Sequence, residues 1–215
     1  MIFEGRPSRA APFFVRFGYD VRTVGSIVHP VALFAAPSAV ATLRHGQEKG
    51  EEMQIRTWAE AVLVAGTLDI LSAFVFSGMN GKGPLTVLSG VATGPFGDAM
   101  ATSGWTGAAV GLGVHFGIMA VQVAAFMLLA AWQPGILQTR VVTGVLYGLA
   151  VYVVMYWVVL PIRWPDVFPA GALRHIPTAL FSHICCVGLP IVLIVAHGAA
   201  ARGAGWVAGG AAIQG

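Results

Sequence analysis

Across the hundred residues from Ala61 to Leu160 the chain carries only four charged side chains, Asp69, Lys82, Asp98 and Arg140. A soluble domain, in which about a quarter of residues are charged, could not cover its surface with so few. The whole chain of 215 residues is 57% hydrophobic and 10% charged, with mean hydropathy +0.78. The sequence therefore specifies an integral membrane protein whose main partner is the lipid bilayer. A net charge of +3 without any continuous Lys/Arg stripe excludes a nucleic-acid interface.

A spanning helix needs about 20 mostly apolar residues. Four stretches qualify: Trp58–Gly78, Thr106–Ala131, Val141–Ile162 and Ala172–Ala199. In the last, Arg174 and His175 precede Pro177, a residue suited to a first helical turn. Between the first two spans, "PLTVLSGVATGPFG" (84–97) is apolar but too short to cross. It reads as an interfacial or re-entrant helix started by Pro84 and stopped by Gly94-Pro95. The expected fold is all-α, a polytopic transmembrane four-helix bundle with this short helix inserted.

Three segments follow: 1–52, 53–201 with the four spans, and 202–215. The first holds six of the twelve Lys/Arg and shows no sustained period, so it is expected to be poorly ordered. Its apolar stretch 27–43 is interrupted by Pro30 and Pro37, which argues against a fifth span. "GQEKGEE" directly before Met53 has purine-rich codons, as a bacterial ribosome-binding site does, so translation starting at Met53 is the expectation. The Gly/Ala-rich tail 202–215 is expected to be disordered. Four spans put both termini on one side, and the basic N-terminal segment favours the cytoplasm.

There is an internal echo. "VAGTLDI" (64–70) resembles "VTGVLYG" (142–148), and "LGVHFGIMAV" (112–121) resembles "LFSHICCVGL" (180–189). Two helical hairpins, each with a glycine in its first helix and a histidine in its second, would be related by a repeat.

Three ionisable residues lie inside the spans: Asp69, His115 and His183. At 1.5 Å per residue they fall roughly 16, 14 and 9–16 Å from the starts of their helices, all near the midplane. A charge there costs at least about 2.5–3.5 kcal/mol, so Asp69 must be neutral, paired or wetted. Gln122 shares a stripe with His115, Ser72 follows Asp69 by three, and Tyr147, Tyr152 and Tyr156 offer hydroxyls. Gly107, Gly111, Gly113 and Gly117, and likewise Gly144 and Gly148, let another helix approach closely. Such faces could also support a homo-oligomer or a larger membrane complex.

Three uses of the Asp/His set stay open. It could form a pathway for a proton, an ion or a small solute, using Asp69, His115, His183, Gln122, Tyr147 and Tyr152. It could hold haem b between two axial histidines, or a metal ion on His115, His183 and Asp69. Or it could be a structural hydrogen bond worth under about 2 kcal/mol. No nucleophile elbow, phosphate loop or dinucleotide fingerprint marks an enzyme. Cys185 and Cys186 read as packing residues.

The succession "GTLDI", "P..VL...A.G..G" (84–97), "G...H" (111–115), "G..YG..VY..M....LP" (144–161) and "H....G.P" (183–190) resembles a family of small four-helix bacterial inner-membrane proteins of unassigned activity. The similarity covers about Ala61 to Ala196. Tyr156 departs from the family's pattern, in which Asn often follows the Met. The resemblance implies a multi-pass protein of the bacterial plasma membrane and supplies no mechanism.

Overall fold

A computed structural model describes residues 37–168 and 176–212, with side chains over 45–168 and 176–201. The chain divides into two units at Glu48/Lys49. Of the first unit the described residues are helical, and its exposed His45 and Glu48 form a pair at 4.0 Å.

Every described element is helical and no strand is present among the described residues. Helix α1 is Pro37–Gly78, α2 is Pro84–Phe96 and α3 is Gly104–Trp132. Helix α4 runs from Arg140 to Arg163, and α5 runs from Ile176 through Ala212. Four helices are long and apolar enough to cross a membrane: His45–Gly78, Gly104–Trp132, Arg140–Arg163 and Ile176–Ala201. The four-span reading of the sequence therefore holds, and the chain is an all-α transmembrane four-helix bundle. Leu63, Val75, Val121, Leu128 and Leu146 point out of it, as a lipid-facing surface requires.

The order around the bundle follows from paired contacts. The indole of Trp58 in α1 donates to Ala120 O of α3 at 3.2 Å, and Gly66 O accepts from His115 of α3 at 2.8 Å. Ser72 of α1 bonds Ser182 of α5 at 2.7 Å, while Thr57 lies against Gly198. The Tyr147 hydroxyl of α4 donates to Gln122 O of α3 at 2.6 Å. Rising numbers on one helix meet falling numbers on the next, so α1 is antiparallel to both α3 and α5.

Helices α4 and α5 approach most closely. A Cβ on Gly148 would lie 2.7 Å from Ile184 Cα, and one on Gly144 would lie 3.0 Å from Leu189 Cα. Gly188 faces the backbone of both Gly144 and Gly148. The two hairpins therefore do not repeat contact for contact. Gly66 meets His115, whereas its sequence counterpart Gly144 meets Gly188 and Leu189. Gly188 gives α4 no side chain to rest on, so the second hairpin closes one turn out of register with the first.

Helix α2 starts at Gly83-Pro84 as expected and runs one residue beyond Gly94-Pro95, ending where Gly97 adopts φ +85°. It packs on the first turns of α3: a Cβ on Gly107 would lie 3.0 Å from Ser89 Oγ, and one on Gly111 would lie 2.6 Å from Leu88 C. Arg163, at the end of α4, pins its far end by donating to Gly94 O at 3.1 Å and to Asp98 at 2.7 Å. The sequence reading of four packing glycines on α3 is corrected here. Gly113 and Gly117 have nothing within 4 Å. At 100° per residue they point away from Gly107 and Gly111, so the four form two faces, and only one is used among the described residues.

The core fills one half of the bundle. Ala61, Ala65, Met119, Val123, Phe126, Val187, Ile191 and Val192 bury together. These residues lie toward the Trp58 end of α1. Asp69 and Ser72 lie beyond them, toward the Lys82 end.

Two sequence expectations fall partly outside the described residues. Of 1–52, residues 37–52 are helical and 1–36 are not described. Of the tail, 202–212 continue α5 as helix rather than disorder, in line with alanine's high helix propensity, and 213–215 are not described.

Candidate functional site

Gly66, Asp69 and Ser72 are spaced three apart on α1 and so share one stripe. The outer two are points of attachment. His115 of α3 bonds Gly66 O, and Ser182 of α5 bonds Ser72, which also donates to Asp69 O at 2.8 Å. Asp69 lies between them, half-buried. His183 and His115 are the two imidazoles within electrostatic reach of its carboxyl.

The histidine tautomers follow from their partners. A carbonyl only accepts, so the 2.8 Å contact to Gly66 O requires His115 to carry a proton on Nε2. His183 Nδ1 lies 2.8 Å from Ala179 O and must carry the proton there. Each neutral ring therefore keeps one lone pair, on Nδ1 of His115 and on Nε2 of His183. A carboxylic acid can donate to either lone pair, and a carboxylate can accept from either imidazolium.

Helix α4 supplies the remaining wall. The Tyr152 and Tyr156 rings contact the His183 ring edge-to-face, at 6.0 and 5.7 Å between centroids, and stack on one another at 5.0 Å. Tyr152 is only 5% exposed and its hydroxyl has no partner among the described residues. A buried hydroxyl without a partner is uncommon and marks room for a water or a ligand. Cys186, half-buried on α5, completes the cluster and lies within electrostatic reach of Asp69.

Both helices that carry this wall depart from α geometry beside it. Met155–Val159 in α4 and Ser182–Gly188 in α5 are π-helical, with Leu160 N–H bonding Met155 O and Leu189 N–H bonding Ile184 O. Each segment ends two residues before a proline, Pro161 or Pro190. Proline lacks the N–H and its ring collides with the carbonyl four residues back, so the preceding turn widens. The widened turns hold Tyr156 and His183 against each other. Single π turns recur at functional sites.

The expected residues thus fall into two groups. Asp69, His115, His183 and Tyr152 belong to one column that climbs α1 from Gly66 to Ser72, about 9 Å at 1.5 Å per residue. Gln122 and Tyr147 do not join it. They bond to each other's neighbourhood on the far side of the core, where Tyr147 packs on Phe126 at 4.9 Å and Gln122 Oε1 is buried without a partner.

One further expectation, the metal set, is corrected. Asp69 makes no direct hydrogen bond to either imidazole among the described residues: His115 bonds Gly66 O, one turn before it, and His183 bonds Ala179 O within its own helix. For the same reason the metal set His115, His183 and Asp69 does not form: no three His, Cys, Asp or Glu side chains converge on a common point among the described residues. Ser182, Tyr156 and Cys186 are members that the depth of ionisable residues alone did not reveal. The repeated Leu-Pro at 160–161 and 189–190 is the signal that would have found the turns holding them.

These features define a class, a polytopic helical membrane protein with a polar column inside one half of its bundle. Comparison with protein-family models, curated proteins and solved structures found no match.

Proposed function

We propose that the chain is a bacterial inner-membrane protein with both termini in the cytoplasm, and that its Asp69 column is a pathway for a proton, an ion or a small solute. The family resemblance and the basic N-terminal segment support the location. One observation supports the activity. The interhelical hydrogen bonds at this depth are made by His115, Ser72 and Ser182, and none by the Asp69 carboxyl. A carboxyl kept only to lock helices together would make such a bond. One that costs several kcal/mol and makes none has another use.

A proton is the species these groups handle most directly. It can reside on Asp69, on His115 Nδ1 or on His183 Nε2 without disturbing the bonds that hold the rings. Tyr152 and Tyr156 extend the polar surface beyond His183.

The test is flux in proteoliposomes, read with an internal pH dye and with a panel of ions. Asp69→Asn keeps the shape and removes the titrating group. It is expected to lower flux about a hundredfold, the lower end of what a positioned proton-transfer group contributes. Thermal stability is expected to stay close to wild type, since no direct bond is lost. Unchanged flux with lowered stability would return the column to a structural role. A Soret band in purified protein that disappears in His115→Ala and in His183→Ala would replace this reading with haem ligation.

A further inference from the structure

A second polar site lies apart from the Asp69 column, at the Lys82 end of the bundle. Here α1 stops at Gly78, the chain turns through Gly81 at φ +75°, and α2 begins. Between these elements is a cavity of about 480 Å³ lined by Ser77, Lys82, Thr86, Gly90, Thr93 and Asp98, among others. It sits where the apolar span gives way to polar sequence, the level of lipid headgroups.

The donors and acceptors in this wall are unequally used. Asp98 is taken by Arg163 at 2.7 Å, and the Thr93 hydroxyl donates to Gly90 O at 2.6 Å. By contrast Lys82 has no ion pair among the described residues, and the hydroxyls of Ser77 and Thr86 have no hydrogen-bond partner there. The first turn of α2 adds the N–H group of Thr86, which helix geometry leaves unpaired. With Arg163 cancelling Asp98, Lys82 leaves the wall with a net positive charge. A cavity with its one carboxylate paired to an arginine, and with a free ammonium and two free hydroxyls beside it, favours an anion with several oxygens.

We propose that this cavity binds a phosphate group, that of an anionic phospholipid headgroup, with Lys82, Ser77 and Thr86 as its donors. Gly90 keeps the space open: a Cβ built there meets nothing within 4 Å, so a larger side chain would enter the cavity without displacing the fold. The site does not depend on the Asp69 column.

The protein purified in a maltoside detergent, which carries no phosphate, is titrated with phosphatidylglycerol, with phosphatidylcholine or with inorganic phosphate. Lipid adducts are followed by native mass spectrometry and stability by thermal unfolding. Phosphatidylglycerol is expected to bind and to raise Tm, and phosphatidylcholine to bind more weakly because its cation sits beside Lys82. Lys82→Gln should weaken phosphatidylglycerol about tenfold, the scale of one charge-assisted hydrogen bond. Gly90→Leu fills the cavity and leaves the charges in place, and should abolish the adduct. Competition by inorganic phosphate would support the same donors with a soluble ion as the source; absence of competition would support the lipid as the source. Phosphatidylglycerol affinity unchanged in both variants overturns the proposal.

Discussion

At the scale of single residues, glycine separates contacts that matter from contacts that only look as if they should. Gly148 and Gly188 face backbone atoms of the opposing helix, and backbone cannot swing aside as a side chain can. Gly148→Ala or Gly188→Ala should therefore destabilise by about 1–3 kcal/mol, the range for overpacking. Gly113→Ala and Gly117→Ala should leave stability unchanged or slightly raised, because alanine favours helix and nothing stands in its way. Thermal unfolding in detergent measures all four, and equal effects would mean that α4 and α5 are not as close as described. Gly66 is intermediate, since an added Cβ would lie 2.6 Å from the Phe116 ring, which can shift. Small-residue spacing was legible in the sequence as a capacity for close approach. Which face was used was not, because spacing fixes a stripe and leaves its partner open.

At the scale of elements, the spans were legible and their internal geometry was not. Hydropathy located four helices because lipid leaves a backbone no other way to satisfy its hydrogen bonds. Depth counting then placed Asp69, His115 and His183 near one level. It could not show that the carbonyls of Gly66 and Ala179, and not the carboxyl, capture the two imidazoles, since that depends on helix register and on which ring nitrogen a carbonyl reaches. The two Leu-Pro pairs decide part of that register. Pro190→Ala restores the N–H that the Cys186 carbonyl needs and should return α5 toward α geometry. Thermal stability should rise by some part of the about 3 kcal/mol that an interior proline costs. Flux should fall, because His183 and Ser182 rotate away from Tyr156 and Ser72. Measuring both on one sample separates the outcomes. Raised stability with undiminished flux would make the widened turn a mere accommodation of proline.

At the scale of the molecule, the bundle is asymmetric along its axis. Phe126, Met119, Val123 and Ile191 are fully buried and fill the half toward Trp58, whereas the polar column occupies the half toward Lys82. Water moves easily along hydroxyls and imidazoles and does not enter a close-packed apolar layer. Access to the column should therefore be one-sided, from the Lys82 end. Cys186 is a native reporter of this, since it is half-buried and within electrostatic reach of Asp69, while its neighbour Cys185 is exposed. With Cys185→Ser as background, a membrane-impermeant methanethiosulfonate applied to oriented vesicles should modify Cys186 only from the Lys82 side. A cysteine substituted for the exposed Lys82 identifies that side independently. Modification from the side of the Trp58 end would mean that the apolar half is no barrier. Failure to modify Cys186 from either side would mean that the column is dry, and an aqueous ion or solute route would give way to proton transfer along side chains alone.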